Sequence, residues 1–135
     1  MAGPPLVVGV DLSDEAQLAL IAALRLARRL DCAVLLVHAV GLLEEGGYRP
    51  HPPLEELLAS ARAAASDDVA DVPVELLRED GPAADVLVRV AERSGAELLV
   101  VGRRGAGGAR TPLGSVSEAV LARATRPVLV VPATH

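Results

Sequence analysis

Gly102, Gly105, Gly107, Gly108 and Gly114, with Ser115 and Ser117 close behind, crowd one stretch of this chain, LLVVGRRGAGGARTPLGSVSEAVLARATRPVLVVP from Leu98 to Pro132. Glycine admits positive φ and lets main-chain N–H groups approach a ligand closely. Hydroxyls at Ser115 and Ser117 add donors that suit phosphate oxygens. If a helix begins at the Gly-Ser pair, its unpaired N–H groups and positive dipole end face back into the glycines. Residues of these types in this order make a cradle for an anion. A second chemical group lies far away in sequence: Asp11, directly after the apolar run Leu6 to Val10. Its carboxylate suits a ribose hydroxyl or a divalent cation better than a bare phosphate, because two anions in contact repel. It also fits a solvated Asp-x-Ser turn ahead of a helix.

Other chemistries are excluded by what the chain lacks. None of its 13 basic residues is a lysine, which removes Schiff-base chemistry and the lysine of a Walker-type loop. Cys32 is the single cysteine and reads as a small buried hydrophobe, so no intramolecular disulfide or multi-cysteine metal site forms. His38 sits in an apolar run, His51 in a proline-rich segment and His135 at the end, a distribution that makes no metal cluster. No serine occupies a Gly-x-Ser-x-Gly elbow, and no base stands out to position a water. A formal charge of −5 and a single aromatic residue, Tyr48, argue against nucleic-acid binding. No apolar run reaches membrane-spanning length and no secretory signal pattern opens the chain, so the expected location is cytoplasmic.

The elements that must position these groups alternate along a single expected domain, residues 1–135. Leu6 to Val10, Ala33 to Ala39, Val74 to Leu77, Leu98 to Val101 and Val128 to Val131 read as strands. Between them, Ala16, Leu20, Ala23, Leu24, Ala27 and Leu30 recur at helical spacing behind a possible cap at Ser13. Leu54 to Ala65 is a second helix. Gly81-Pro82 opens a third, with proline at the first helical position and Gly95 as its stop. Ser115 to Ala124 is the fourth, with Ser115 and Glu118 spaced as a capping box. Strands buried on both faces and joined by helices imply right-handed crossovers and one five-stranded parallel sheet covered on both sides. Ligands of such sheets bind beyond the C-terminal strand ends, where connections diverge. With the order 3-2-1-4-5, Asp11 and Gly102 meet at that point.

Asp11-Leu12-Ser13, the Gly-Pro start of the third helix and, above all, VVGRRG followed by LGSVSEAVLARATRPVLVVP resemble the universal stress protein family across essentially the whole chain. The resemblance implies a Rossmann-like fold of the adenine nucleotide alpha hydrolase type. It also implies the nucleotide signature Gly-x2-Gly-x9-Gly-Ser/Thr, which in that family holds ATP. Gly102 and Gly105 match the first pair and Gly114-Ser115 the last, with eight residues rather than nine between Gly105 and Gly114. Carried over by position, Asp11 faces the ribose or phosphates and Ala39 offers backbone contacts to adenine. Val101 and Gly102 line the ribose, and Gly105, Gly114, Ser115, Val116 and Ser117 surround the phosphates. The expected cofactor is ATP, with or without Mg²⁺.

The resulting expectation is a nucleotide-dependent stress-response module. Its rivals are a family member without a working nucleotide site, acting through partners, and a slow ATPase. Arg103, Arg104 and Arg110 could add charge to phosphates or simply be solvated. Val128 to Val131 forms an aliphatic edge, and an exposed edge strand invites pairing. A homodimer through it is the expected assembly.

Overall fold

A computed structural model describes residues 3–10, 14–40, 53–65, 67–103 and 113–132. Strands β1 (Leu6–Gly9), β2 (Val34–Val40), β3 (Val74–Asp80), β4 (Leu98–Gly102) and β5 (Val128–Val131) alternate with four helices. These are α1 (Asp14–Leu30), α2 (Leu54–Ala65), α3 (Ala83–Ser94) and α4 (Ser115–Arg123). The sheet is parallel throughout, in the order β3-β2-β1-β4-β5 expected from the sequence. Val8 stands opposite Leu36 on one side and Val100 on the other, so β1 is central.

Period-two alternation divides the core. Leu6, Val8, Val34, Leu36 and Val100 face α1 and α2, packing on Ala19, Leu20, Ala23, Leu24 and Leu54. Val7, Val37, Leu99 and Val101 face α3, where Val86, Leu87, Val90 and Ala91 meet them. Both faces are therefore apolar, and the central strands β1 and β4 show no polar alternation. Gly9 ends β1 beneath α3. A Cβ there would lie 2.6 Å from Leu87 Cδ1 and 3.2 Å from Leu87 Cγ, so the helix sits this close only because the side chain is missing.

Two helices stop by the same device. Gly95 has φ 65°, its N–H reaches the Glu92 carbonyl at 3.3 Å, and Ala96 N–H reaches Ala91 at 2.9 Å. Asp31 has φ 57°, its N–H reaches Arg28 at 3.4 Å, and Cys32 N–H reaches Ala27 at 3.1 Å. Each is a Schellman turn with a small buried residue, Ala96 or Cys32, folded back under the helix end. The reversal at Asp31 leaves Leu30 48% exposed, so the apolar stripe read in α1 ends at Ala27.

The structure also differs from the sequence reading at several element ends. Pro82 is the residue before α3 rather than its first residue, with ψ 139°. β2 is shifted by one residue, and β3 continues through Arg78, Glu79 and Asp80, pairing fully with β2. A 3₁₀ turn at Asp67–Val69 follows α2. Arg62 holds that segment by donating to the carbonyls of Val69 (2.7 Å), Ala70 (3.1 Å) and Val72 (2.9 Å).

Candidate functional site

Because β1 lies between β2 and β4, the C-terminal ends of these three strands converge where the crossovers diverge. Val10 extends β1 by donating to the Val37 carbonyl at 3.0 Å and is buried. His38, on β2, has Nδ1 3.3 Å from the Val10 carbonyl, so the ring N–H donates there. That is a structural role at the rim of the crevice. Ala39 follows at the same strand end, partly buried against the core on the α3 side. On β4, Val101 is buried at 3% exposure, and Gly102 is paired with Val131.

The turn into α4 is closed by main chain. Arg103 N–H donates to Val131 (2.8 Å), and the Arg103 carbonyl accepts from Gly114 N–H (2.8 Å). These bonds pinch the two ends of the glycine-rich segment together. Ser117 completes the joint: its hydroxyl donates to the Gly102 carbonyl at 2.5 Å, and the residue is 3% exposed. The end of β4 and the first turn of α4 are thus locked at Gly102, Arg103, Gly114 and Ser117. Gly102, Gly114 and Ser117 are brought together there, and Ser115 and Val116 are the exposed residues of the first turn of α4. Asp11 and Gly105 lie outside the described residues, as do Arg104 and Arg110.

The local chemistry of α4 differs from the sequence reading in one respect. Gly114, not Ser115, is the N-cap, with φ −73° and ψ 166°, and no side chain caps the helix. Glu118 N–H bonds the Gly114 carbonyl at 3.0 Å, which fixes this register. The Ser115–Glu118 capping box is therefore not formed. Ser115 occupies the first helical position with an exposed side chain. The N–H groups of Ser115, Val116 and Ser117 precede the first intrahelical bond, so helix geometry gives them no acceptor within α4. They lie at the positive end of the helix dipole, an arrangement whose chemistry suits an anion. Of the two hydroxyls expected to meet phosphates, Ser117 gives its proton to Gly102, and Ser115 is the one that faces outward.

One signal was not legible in the sequence. Arg103 Nε is sealed from solvent and has no hydrogen-bond partner among the described residues. Several other described arginines are engaged: Arg89 and Arg93 on Glu79, Arg123 on Asp85, Arg62 on backbone carbonyls. Arg93 holds the Glu79 carboxyl below its ordinary range, first by its hydrogen bond. Burial pushes the Cys32 thiol up, consistent with an inert core residue. Two shallow hollows lie at the opposite end of the sheet. One, of about 410 Å³, is bounded by Arg28, Asp31, Cys32, Asp68 and Asp71. The other, of about 240 Å³, is bounded by Arg25, Arg28, Arg29 and Asp68. Both belong to the N-terminal strand ends and have no part in the crevice. Among the described residues no group of acidic, histidine and cysteine side chains is arranged to hold a metal ion. None of the described helices is long and apolar enough to cross a membrane.

Known proteins share this arrangement. Residues 4–132 match the model of the Universal stress protein family. A universal stress protein of Methanocaldococcus jannaschii is 32% identical over 138 aligned positions, covering 93% of this chain and 80% of the relative. Among solved structures, a universal stress protein in complex with cAMP superposes with a TM-score of 0.70 at 30% identity, covering 94% of each chain. The universal stress protein from Archaeoglobus fulgidus in complex with dAMP superposes with a TM-score of 0.68 at 28% identity, covering 97% of this chain and 99% of that one. The shared architecture is the adenine nucleotide alpha hydrolase-like fold.

Proposed function

The chain belongs to the universal stress protein family, and from that premise we propose that it is a cytoplasmic stress-response module that binds an adenine nucleotide, ATP with Mg²⁺, at the C-terminal ends of β1 and β4. One observation carries this reading. The first turn of α4, whose N–H groups have no acceptor within the helix, is held beside Gly102 by the Ser117 hydroxyl, at the strand end next to β1. The residues present fit an oligophosphate: a helix N-terminus without a side-chain cap, a small N-cap that lets the ligand approach, and an outward hydroxyl at Ser115. Two relatives of the same fold were solved with cAMP and dAMP bound, which supports adenine as the base.

In this reading the amides of Ser115, Val116 and Ser117 donate to phosphate oxygens, Val101 and Gly102 flank the ribose, and the Ala39 backbone meets adenine. Asp11 takes a ribose hydroxyl or the bound cation, and Gly105 completes the phosphate loop. Mg²⁺, when bound with the nucleotide, neutralises part of the phosphate charge. We assign no catalytic base, so any hydrolysis is slow and incidental to binding. Calorimetric titration with ATP and Mg²⁺ tests this. Saturable heat with a raised melting temperature is expected, whereas neither effect at millimolar nucleotide would remove the function.

Assembly by pairing of β5 belongs to the same proposal. Among the described residues β5 pairs only with β4, and Leu129 on it is 36% exposed, which leaves an aliphatic edge for a second copy.

A further inference from the structure

We propose that Arg103 is a phosphate-recognising residue that selects nucleotides carrying a phosphate chain over the bare nucleoside; this inference rests on the nucleotide reading above. Buried polar groups in folded proteins almost always have partners, and a buried N–H without one is destabilising. Arg103 breaks that rule at one atom: Nε is shielded from solvent and has no partner among the described residues. The residue's own main chain is already engaged, N–H on Val131 and carbonyl on Gly114, so its position at the neck of the glycine-rich segment is fixed. Its neighbours on either side of that neck, Gly102 and Gly114, are the two anchors of the proposed phosphate surface. The chain has no lysine to supply charge there, and its net charge is −5. In this proposal the acceptor that the guanidinium takes is an anionic oxygen of the ligand. A guanidinium offers several parallel N–H donors, which match the geometry of a phosphate and not that of a neutral ribose. In this proposal the donors at the start of α4 and the guanidinium at the neck both serve the phosphates.

The proposal gives the free and the bound protein opposite responses to one substitution. Arg103→Met removes the orphan donor while retaining much of the apolar stem, so the free protein should melt at the same temperature or higher. Its affinity for ATP should fall about ten- to a hundredfold, the loss of a charged hydrogen bond, with adenosine affinity unchanged. Arg103→Lys keeps the charge but not the planar fork, so it should restore ATP binding only in part. Calorimetry with ATP and with adenosine, and melting curves without ligand, on wild type and both variants read all of this. The inference is overturned if Arg103→Met binds ATP as tightly as wild type. It is overturned equally if that variant melts lower and loses ATP and adenosine in the same proportion, because the arginine would then be a scaffold residue. Wild type that binds neither compound refutes the nucleotide reading itself, and the role of Arg103 with it. Wild type that binds both while the variants change nothing refutes the Arg103 inference alone.

Discussion

Removing the Ser117 hydroxyl should cost more stability than removing any other hydroxyl near the crevice. Ser117 is 3% exposed and donates to the Gly102 carbonyl at 2.5 Å. Ser117→Ala deletes the donor, leaves the carbonyl without it, and opens a space that solvent fills poorly. Loss of a buried hydrogen bond with one partner left behind costs about 2 kcal/mol. Unfolding entropy scales with chain length, so for a chain of this size that loss lowers the melting temperature by about 7 °C. Ser115→Ala is the matched control. Its side chain is exposed at the first helical position and caps nothing, so stability should stay within about 0.5 kcal/mol of wild type. A working capping box would instead lose about 1 kcal/mol on that change. Urea denaturation of both variants separates the cases. Equal losses at the two serines, or a larger loss at Ser115, would refute the assignment of Gly114 as N-cap and of Ser117 as the joint between β4 and α4.

The two Schellman turns should respond in opposite senses. Gly95→Ala forces a side chain into the left-handed region with nothing nearby to clash, and denaturant melts should show a loss of about 1 kcal/mol. Asp31→Gly relieves the same conformation and should gain about 0.5 kcal/mol. Glu79 is held ionised below its ordinary range, first by the Arg93 hydrogen bond, so its contribution is fully present above the unfolded carboxyl's pKa. That contribution is lost as pH falls through the lower folded value, and Glu79→Gln should make the acid side of the stability profile shallower in pH-dependent melts. Leu129→Glu places a charge on the β5 edge. Light scattering at micromolar concentration should report a dimer for wild type and a monomer for the variant, and a monomeric wild type would remove the proposed assembly.

Much of this architecture is visible in the chain because it depends on local pattern. VVGV, VLLV and LLVV are apolar at successive positions, which only strands covered on both faces require, and Gly95 marks its helix end unaided. Features that need a tertiary partner were hidden. Gly114-Ser115 offers two acceptable N-caps in a row, and only the Glu118 to Gly114 hydrogen bond shows which one is used. The charged end of β3 reads as loop, but on an edge strand Arg78, Glu79 and Asp80 are tolerated, and Arg89 and Arg93 hold Glu79 from α3. Asp31 carries no glycine signal for its left-handed turn. Ser117 looks like a ligand donor until the Gly102 carbonyl is placed beside it. Arg103 looks like a solvated loop residue until its Nε is found buried.

The central claim is that phosphates sit on the first turn of α4 at the end of β4. Titrating ATP and Mg²⁺ into ¹⁵N-labelled protein and following backbone amide resonances tests it most directly. The account expects the largest shifts at Gly102, Arg103, Gly114, Ser115, Val116 and Ser117. Shifts confined to Arg25, Arg28, Arg29 and Asp68, which bound the arginine-lined hollow at the opposite end of the sheet, would contradict it.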